Sequence, residues 1–318
     1  MKALITGITG MDGSYLAELL LSKGYEVHGI IRHTANELND DRFSRIKDLE
    51  LDLHYADLTS YPALAEVISK VKPDELYHLG AISYVKSTFD DEYSCFNTNL
   101  NGTHYLLDLV KKHCPECKFY FAGTSEMFGN TPDKIQTEIS PFLPCSPYGI
   151  SKYAAFNLCK MYRKSYRMYI SCGILFNHTS ERRGEIFATR KIIRTAVNIY
   201  KGLEDKLTMG NIDTYRDFGY APEYVKAMWL MLQNKPDDFV IATNETHSIR
   251  EVIELTFDYL KLDYKKYLLI YPDFYRPNEL YTLKGDYSKA KRELGWQPQV
   301  KFNEIIKRMV EYDKHYRS

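Results

Sequence analysis

A chain of 318 residues with 44% hydrophobic content can bury a large core, and its length suits one large domain or two unequal ones. Lys plus Arg and Asp plus Glu each number 42, so the formal net charge is zero and no global field favours nucleic acid or an anionic membrane. No apolar run approaches the roughly 18 residues of a membrane span and no signal-peptide pattern precedes the first strand, so a cytoplasmic protein without membrane or nucleic-acid partners is expected.

In chain order, Lys2 to Thr6 (KALIT) reads as a strand, Ser14 to Ser22 as a helix and Glu26 to Ile31 as a second strand. Leu53 to Tyr55 is a short third strand, Ala63 to Lys70 a helix stopped before Pro73, and Glu75 to Leu79 a fourth strand. A helix over Asn99 to Lys112 leads to a fifth strand, Lys118 to Ala122. Near-continuous apolar strands alternating with helices predict a parallel sheet covered on both faces, a doubly wound α/β domain. The pattern continues through a long helix, 149–166, and a strand, Tyr169 to Phe176, then changes character. Beyond residue 177 come helices near Thr189 to Tyr200 and Ile249 to Leu260 and an amphipathic helix over Asn303 to Tyr316. Pro222 to Leu232 with strand Phe239 to Ala242 is a unit that could return to the sheet. The expected division is 1–176 with a return segment near 219–243, and a smaller, discontinuous α/β domain within 177–318. The six cysteines are too sparse for a disulfide framework, and Cys114-Pro115-Glu116-Cys117 stands alone, without a second pair to complete a metal tetrahedron. It reads as a loop between helix and strand, and no metal site is expected.

Gly7-Ile8-Thr9-Gly10-Met11-Asp12-Gly13 lies between the first strand and first helix. Glycines there let the backbone turn tightly and approach a pyrophosphate held at the helix N-terminus. The G-x-x-G-x-x-G spacing differs by one residue from the usual G-x-G-x-x-G, but its position after an N-terminal strand points to dinucleotide binding. The second strand ends in Arg32 with no acid, and a cation at that place suits the 2′-phosphate of NADP. Asp57 and Leu58 could meet the adenine, and Leu79, Gly80 and Ala81 could line the pyrophosphate and ribose path.

Tyr148 and Lys152 stand four apart at a helix start, hence on one face. Phenol is a weak base at neutral pH unless a nearby cation favours phenolate, which Lys152 would supply. A second Tyr-x-x-x-Lys, Tyr287 to Lys291, lies outside the alternating region and reads as a surface helix. The first pair follows the fifth strand, whose end carries Thr124 and Ser125, and ligands of open α/β sheets bind beyond the carboxyl ends of strands. Hydroxyl, tyrosine and lysine facing a nicotinamide make a site for oxidising an alcohol. Glu126, two residues past Thr124, has no part in that chemistry.

The segments "ALITGITGMDGSYLAELLLSKGYEVHGIIR", "YHLGAISYVK", "GTSEMFG", "SPYGISK", "GILFNHTSERRG", "MGNIDTYRDFGYAPEYVKAMWLMLQ" and "GDYSKAKRELGWQP" run collinearly through the chain. They resemble the extended short-chain dehydrogenase/reductase superfamily and, within it, GDP-mannose 4,6-dehydratases. The resemblance implies a Rossmann-type domain for NADP and a smaller C-terminal domain for a GDP-sugar. It also implies a lyase that transiently oxidises C4, eliminates water across C5 and C6 and returns hydride to C6. Tyr148 would take the C4 hydroxyl proton, Thr124 hold O4, Glu126 take the C5 proton and help the C6 hydroxyl leave, and Lys152 hold Tyr148 and the nicotinamide ribose. Cofactor contacts would come from Gly7 to Gly13, Arg32, Asp57, Leu58, Leu79, Gly80, Ala81, Ile82, Ser83, Tyr93, Tyr148, Lys152, His178 and Arg183. Substrate contacts would come from Ser83, Thr124, Asn177, Lys191, Arg216, Arg276 and Glu279, the cations offsetting a diphosphate. A homodimer or homotetramer is implied, through the helix of Tyr148 and, in some relatives, the loop Thr34 to Ile46.

Departures from the family pattern fall near the ligands: Met11, Ile82-Ser83-Tyr84, Thr179-Ser180-Glu181-Arg182-Arg183 and Arg32-His33-Thr34. They leave GDP-N-acetylglucosamine and GDP-manno-heptose open as alternatives to GDP-mannose. A C4 epimerase or reductase of the same superfamily needs no C5 base, so Glu126 discriminates against it.

Overall fold

Strand β1 (Lys2–Thr6) exposes none of Ala3, Leu4 or Ile5, as a central parallel strand covered on both faces requires. The computed structural model describes residues 1–32, 42–275 and 277–316. After β1 come α1 (Met11–Ser22), β2 (Glu26–Ile31), β3 (Asp52–Tyr55), α2 (Tyr61–Val71), β4 (Glu75–His78), α3 (Glu92–Phe96), α4 (Gly102–His113) and β5 (Lys118–Thr124). The chain continues through α5 (Pro147–Ser165), β6 (Ile170–Leu175), β7 (His178–Thr179), α6 (Ala188–Tyr200), β8 (Leu207–Met209), β9 (Tyr215–Arg216), β10 (Gly219–Tyr220), α7 (Ala221–Leu232) and β11 (Asp238–Ile241). It closes with β12 (His247–Ser248), α8 (Ile249–Tyr259), β13 (Leu268–Ile270), β14 (Thr282–Leu283), α9 (Ser288–Leu294) and α10 (Phe302–Tyr316).

Seven strands form one parallel sheet in the order β11-β6-β5-β4-β1-β2-β3. Alternation along each strand builds two cores. Leu4, Leu76, Phe119 and Phe121 face the layer of α2, α4 and α5, while Ala3, Ile5, Tyr77 and Tyr120 face α1 and α7. A third core, including Ile193, Val197, Ile253, Phe257, Ile306 and Met309, joins α6, α8 and α10. Segment 114–117 is the turn before β5, and all six cysteines are free. No helix among the described residues is long and apolar enough to cross a membrane.

The expected helix from Asn99 is longer and interrupted. Asp91 caps α3 by accepting the Ser94 N–H at 3.0 Å, and a π-helical turn, Asn97–Asn101, links α3 to α4. That turn swings Asn99 into the interior. Gly102 then lets α4 approach β3's exit, since a Cβ there would lie 3.0 Å from Leu58 Cβ.

Arg190 of α6 and Asp313 of α10 form a bidentate ion pair with almost no exposure. Removing one partner leaves the other charge buried without compensation. Asp313→Ala is expected to cost about 4 kcal/mol and to lower Tm by about 6 °C. Arg190→Met combined with Asp313→Leu should recover most of that loss in the same calorimetric scan.

Candidate active site

All seven strands point their C-terminal ends to one edge, and the chain reverses its direction of travel across the sheet between β1 and β4. Crevices at such reversals are where open α/β sheets take ligands. Gly7, at φ +72°, follows β1, and a Cβ on it would meet the Gly80 backbone at 2.9 Å. Gly13 is more constrained: its Cβ would lie 2.3 Å from the Gly7 carbonyl oxygen, so only glycine lets α1 press against the loop. Thr6 fixes the other wall. Its hydroxyl accepts the N–H groups of Leu79 and Gly80 at 3.1 and 3.0 Å and donates to His78 Nδ1 at 2.8 Å. His78 Nε2–H in turn donates to Thr103 at 3.0 Å. Burial, aided by the Lys152 charge, holds the His78 pKa well below its usual range.

Beyond β5, a single 3₁₀ turn (Ser125–Met127) carries Glu126, whose N–H donates to Thr124 Oγ1 at 3.3 Å. Helix α5 begins where Ser146 accepts the Gly149 N–H at 3.1 Å, with Pro147 in its first turn. Gly149 would place a Cβ 2.7 Å from the Glu126 carbonyl oxygen, so its absence lets the first turn of α5 seat directly against the acid's backbone. Thr124, Glu126, Tyr148 and Lys152 are all buried and all line one cleft of about 450 Å³. Burial pushes the Tyr148 phenol up to about 12, with the Thr124 hydrogen bond opposing and the Glu126 charge adding to the rise. Lys152 donates to the Ala122 carbonyl at 2.9 Å, and burial brings its pKa down to about 8. The Lys152 ammonium is turned to that backbone carbonyl, one helical turn from Tyr148.

The opposite wall comes from the segment after β6. His178 presents Nδ1 to the Phe176 carbonyl at 2.8 Å and Nε2 to Asp12 Oδ2 at 2.9 Å, so both ring nitrogens face acceptors. Burial opposes ionisation of Asp12, but His178 and Arg183 hold its pKa below the usual value. The two arginines of the Arg182-Arg183 turn part company. Arg182 clamps α1, donating to Glu18 at 2.6 Å and Ser14 at 3.1 Å, whereas Arg183 lines the cleft with its guanidinium 3.8 Å over the Phe187 ring. Farther along, Lys191, Arg216 and Glu279 line the same cleft, Arg216 and Glu279 at 3.9 Å.

Of the expected residues, Asp12, Leu79, Ala81, Ser83, Thr124, Glu126, Tyr148, Lys152, Asn177, His178, Arg183, Lys191, Arg216 and Glu279 share this cleft. Apart from Asp12 the glycine loop does not line it; Gly7 packs against Gly80 at the switch point, with the buried Leu58 against Gly80. Arg32 is exposed at the end of β2, close enough to Asp57 for its charge to help lower that carboxyl, whose burial is offset first by Thr59 hydrogen bonds. Tyr93 is 91% exposed and does not line the cleft. Arg276 and residues 33–41, which include most of the loop expected to associate, lie outside the described residues.

Four contributors were not foreseen. Asn99 holds both polar groups of the Ile82 backbone, at 2.9 and 3.0 Å, and donates to Ser151 of α5 at 3.1 Å. Arg45 donates to the Thr9 carbonyl in the glycine loop at 3.1 Å. Lys86 and Phe274 stand at the cleft mouth. An asparagine inside a helical pattern was the only local signal for Asn99, and the other residues had none.

The cleft's polar groups fit a nicotinamide dinucleotide. Asp12 Oδ1 and Asn177 Oδ1 are buried without a hydrogen-bond partner among the described residues, and Gly7, Gly10 and Gly13 put no side chain into the turn that leads into α1. Solved structures with this fold include a UDP-glucose 4-epimerase of Thermus thermophilus complexed with NAD (TM-score 0.87, 24% identity, 99% of this chain and 100% of that one). Another is a dTDP-glucose 4,6-dehydratase of Streptomyces venezuelae with NAD bound (TM-score 0.86, 22% identity, 100% and 98%). Sequence relatives are nearer. GDP-mannose 4,6 dehydratase 2 of Arabidopsis thaliana is 48% identical over 98% of this chain and 86% of its own length. The human GDP-mannose 4,6 dehydratase is 44% identical over 98% and 91%, and that of Vibrio cholerae 44% over 98% and 93%. The family model described as GDP-mannose 4,6 dehydratase matches residues 4–309, and with the buried Thr124, Glu126, Tyr148 and Lys152 in one cleft, the chain belongs to that family.

Proposed function

We propose that the protein is a GDP-mannose 4,6-dehydratase that uses NADP. The observation that carries this reading is Glu126, a buried carboxyl sharing the cleft with Thr124 and Tyr148 and close enough for its charge to raise the Tyr148 pKa. Tyr148 takes the proton of the sugar C4 hydroxyl, which Thr124 holds by its own hydroxyl. A nicotinamide dinucleotide, when bound, supplies the acceptor and later the donor of hydride. A ketone at C4 acidifies C5, and Glu126 removes the C5 proton and delivers a proton to the departing C6 hydroxyl. That transfer leaves Glu126 as a carboxylate, which takes up a proton from water and passes it to C5 as hydride returns to C6. Lys152, one helical turn from Tyr148, holds the ribose side. Residues 1–176, with the segment near 219–243, serve the dinucleotide, and the rest of 177–318 serves the GDP-sugar through Asn177, Lys191, Arg216, Arg276 and Glu279. The working form is a cytoplasmic homodimer or homotetramer, a reading supported by six free cysteines and by exposed Ile150 and Met161 on α5.

Incubating the purified protein with GDP-mannose should yield a product lighter by one water, without net change in added cofactor. Net reduction of NADP with no loss of water would overturn the reading. Arg32 favours NADP because its guanidinium suits a 2′-phosphate. Arg32→Ala should weaken NADP binding by about tenfold and leave NAD binding as it was, measured by titration calorimetry.

A further inference from the structure

Lys86 belongs to the 3₁₀ turn Lys86–Thr88, on the sheet side of the cleft, yet its ammonium donates to the Asp273 carbonyl at 2.9 Å, 187 residues along the chain. Asp273 lies in another 3₁₀ turn, Pro272–Phe274, stitched to β8 by the Tyr271 N–H donating to the Met209 carbonyl at 2.8 Å. Gly210, just past β8, admits that turn: a Cβ there would sit 2.7 Å from the Phe274 carbonyl oxygen. The Lys86–Asp273 bond therefore spans the mouth.

Lys191 reaches the same place from α6. Its Nζ and that of Lys86 each lie 5.1 Å from the centroid of the Phe274 ring. Among the described residues neither lysine has a carboxylate within ion-pair distance, and Lys191 makes a long 3.4 Å hydrogen bond to Thr208. Burial lowers the Lys191 pKa, Glu204 opposes this, and the Lys86 charge lowers it further. Two ammonium groups that repel one another across an aromatic ring, with a carbonyl and a hydroxyl as their only polar partners among the described residues, leave anion-binding capacity at the mouth.

We propose that Lys86 is a further diphosphate-binding residue, exchanging the Asp273 carbonyl for a phosphoryl oxygen of the nucleotide sugar and thereby coupling the turn at residues 272–274 to occupancy of the cleft. The inference rests on the proposed function, because that reading supplies the diphosphate. Lys86 has no part in proton transfer. Its effect falls on binding, on the diphosphate rather than the base.

The test measures GDP and guanosine binding by calorimetry, and KM and kcat for GDP-mannose, in wild type, Lys86→Met and Lys86→Arg. Losing one charge-assisted bond is expected to weaken GDP binding and raise KM by about tenfold in Lys86→Met. Guanosine affinity and kcat should hold, and Lys86→Arg should restore most of the loss. GDP affinity and KM equal to wild type in Lys86→Met overturn the inference and leave the proposed function standing. A kcat loss at unchanged KM also overturns it. Wild-type protein that neither binds GDP nor dehydrates GDP-mannose removes the proposed function itself. If Lys86→Met fails to fold, Lys86→Gln and the salt dependence of wild-type GDP binding decide instead: loss of GDP binding that steepens with salt only when Lys86 is present supports the bond, and identical salt slopes refute it.

Discussion

Glu126→Gln is expected to lower dehydration by about a thousandfold, the range lost when a positioned acid–base group is removed. The change keeps the shape of the side chain, so the 3₁₀ turn, the Thr124 contact and the seating of α5 through Gly149 should persist. It removes the group proposed to take the C5 proton. Oxidation at C4, proposed to rest on Thr124 and Tyr148, should continue slowly, so the variant should build up a 4-keto sugar that still carries its C6 hydroxyl. Mass spectrometry of the borohydride-trapped product separates that species from the 6-deoxy one, and near-ultraviolet absorbance of the reduced nicotinamide should rise toward one equivalent per site. Dehydration at the wild-type rate would sink the assignment.

Lys152→Met should separate stability from activity. The ordinary lysine pKa is 10.5, and burial brings Lys152 to about 8, so the folded protein disfavours the ammonium. The conversion is about 1.4 kcal/mol per tenfold, so holding the charge costs on the order of 3 kcal/mol at pH 7. Methionine also forfeits the hydrogen bond to the Ala122 carbonyl, worth about 1 kcal/mol. The variant should therefore be the more stable by about 2 kcal/mol at neutral pH, with Tm about 3 °C higher. The sign follows from a base with a depressed pKa. Its cost is complete below pH 8, shrinks between pH 8 and 10.5 as the folded and then the unfolded chain lose the proton, and is absent above. The Tm gain should fade over the same window. Activity should fall by at least about a hundredfold, because Tyr148 loses the cation on its own helix face. A variant less stable than wild type at pH 7 would show that packing around Lys152 outweighs the buried charge.

The family and fold were legible before the structure because their signals are local. Strand runs buried on both faces, a glycine loop between β1 and α1, and Tyr148 and Lys152 one turn apart are all encoded within a few residues. Helix starts were likewise readable to within two residues at the capped helices after Ser146 and Ser248, the latter closing a capping box with Glu251. The helix expected from Asn99 was misjudged for a related reason. Its cap is Asp91, and the π turn that follows exists to bring Asn99 to the Ile82 backbone, a partner no window around Asn99 contains.

Arg182 and Arg183 make the same point at finer scale. Adjacent and identical in type, they diverge because the turn sends one side chain to Glu18 on α1 and the other into the cleft. Arg190 with Asp313, and Lys86 with Asp273, likewise pair groups more than a hundred residues apart. Periodicity, glycine spacing and capping settle which segments become strands and helices, since those preferences act through neighbours along the chain. Which charge is buried, which is paired and which is left for a ligand depends on the surfaces that packing brings together, and only the folded chain holds them.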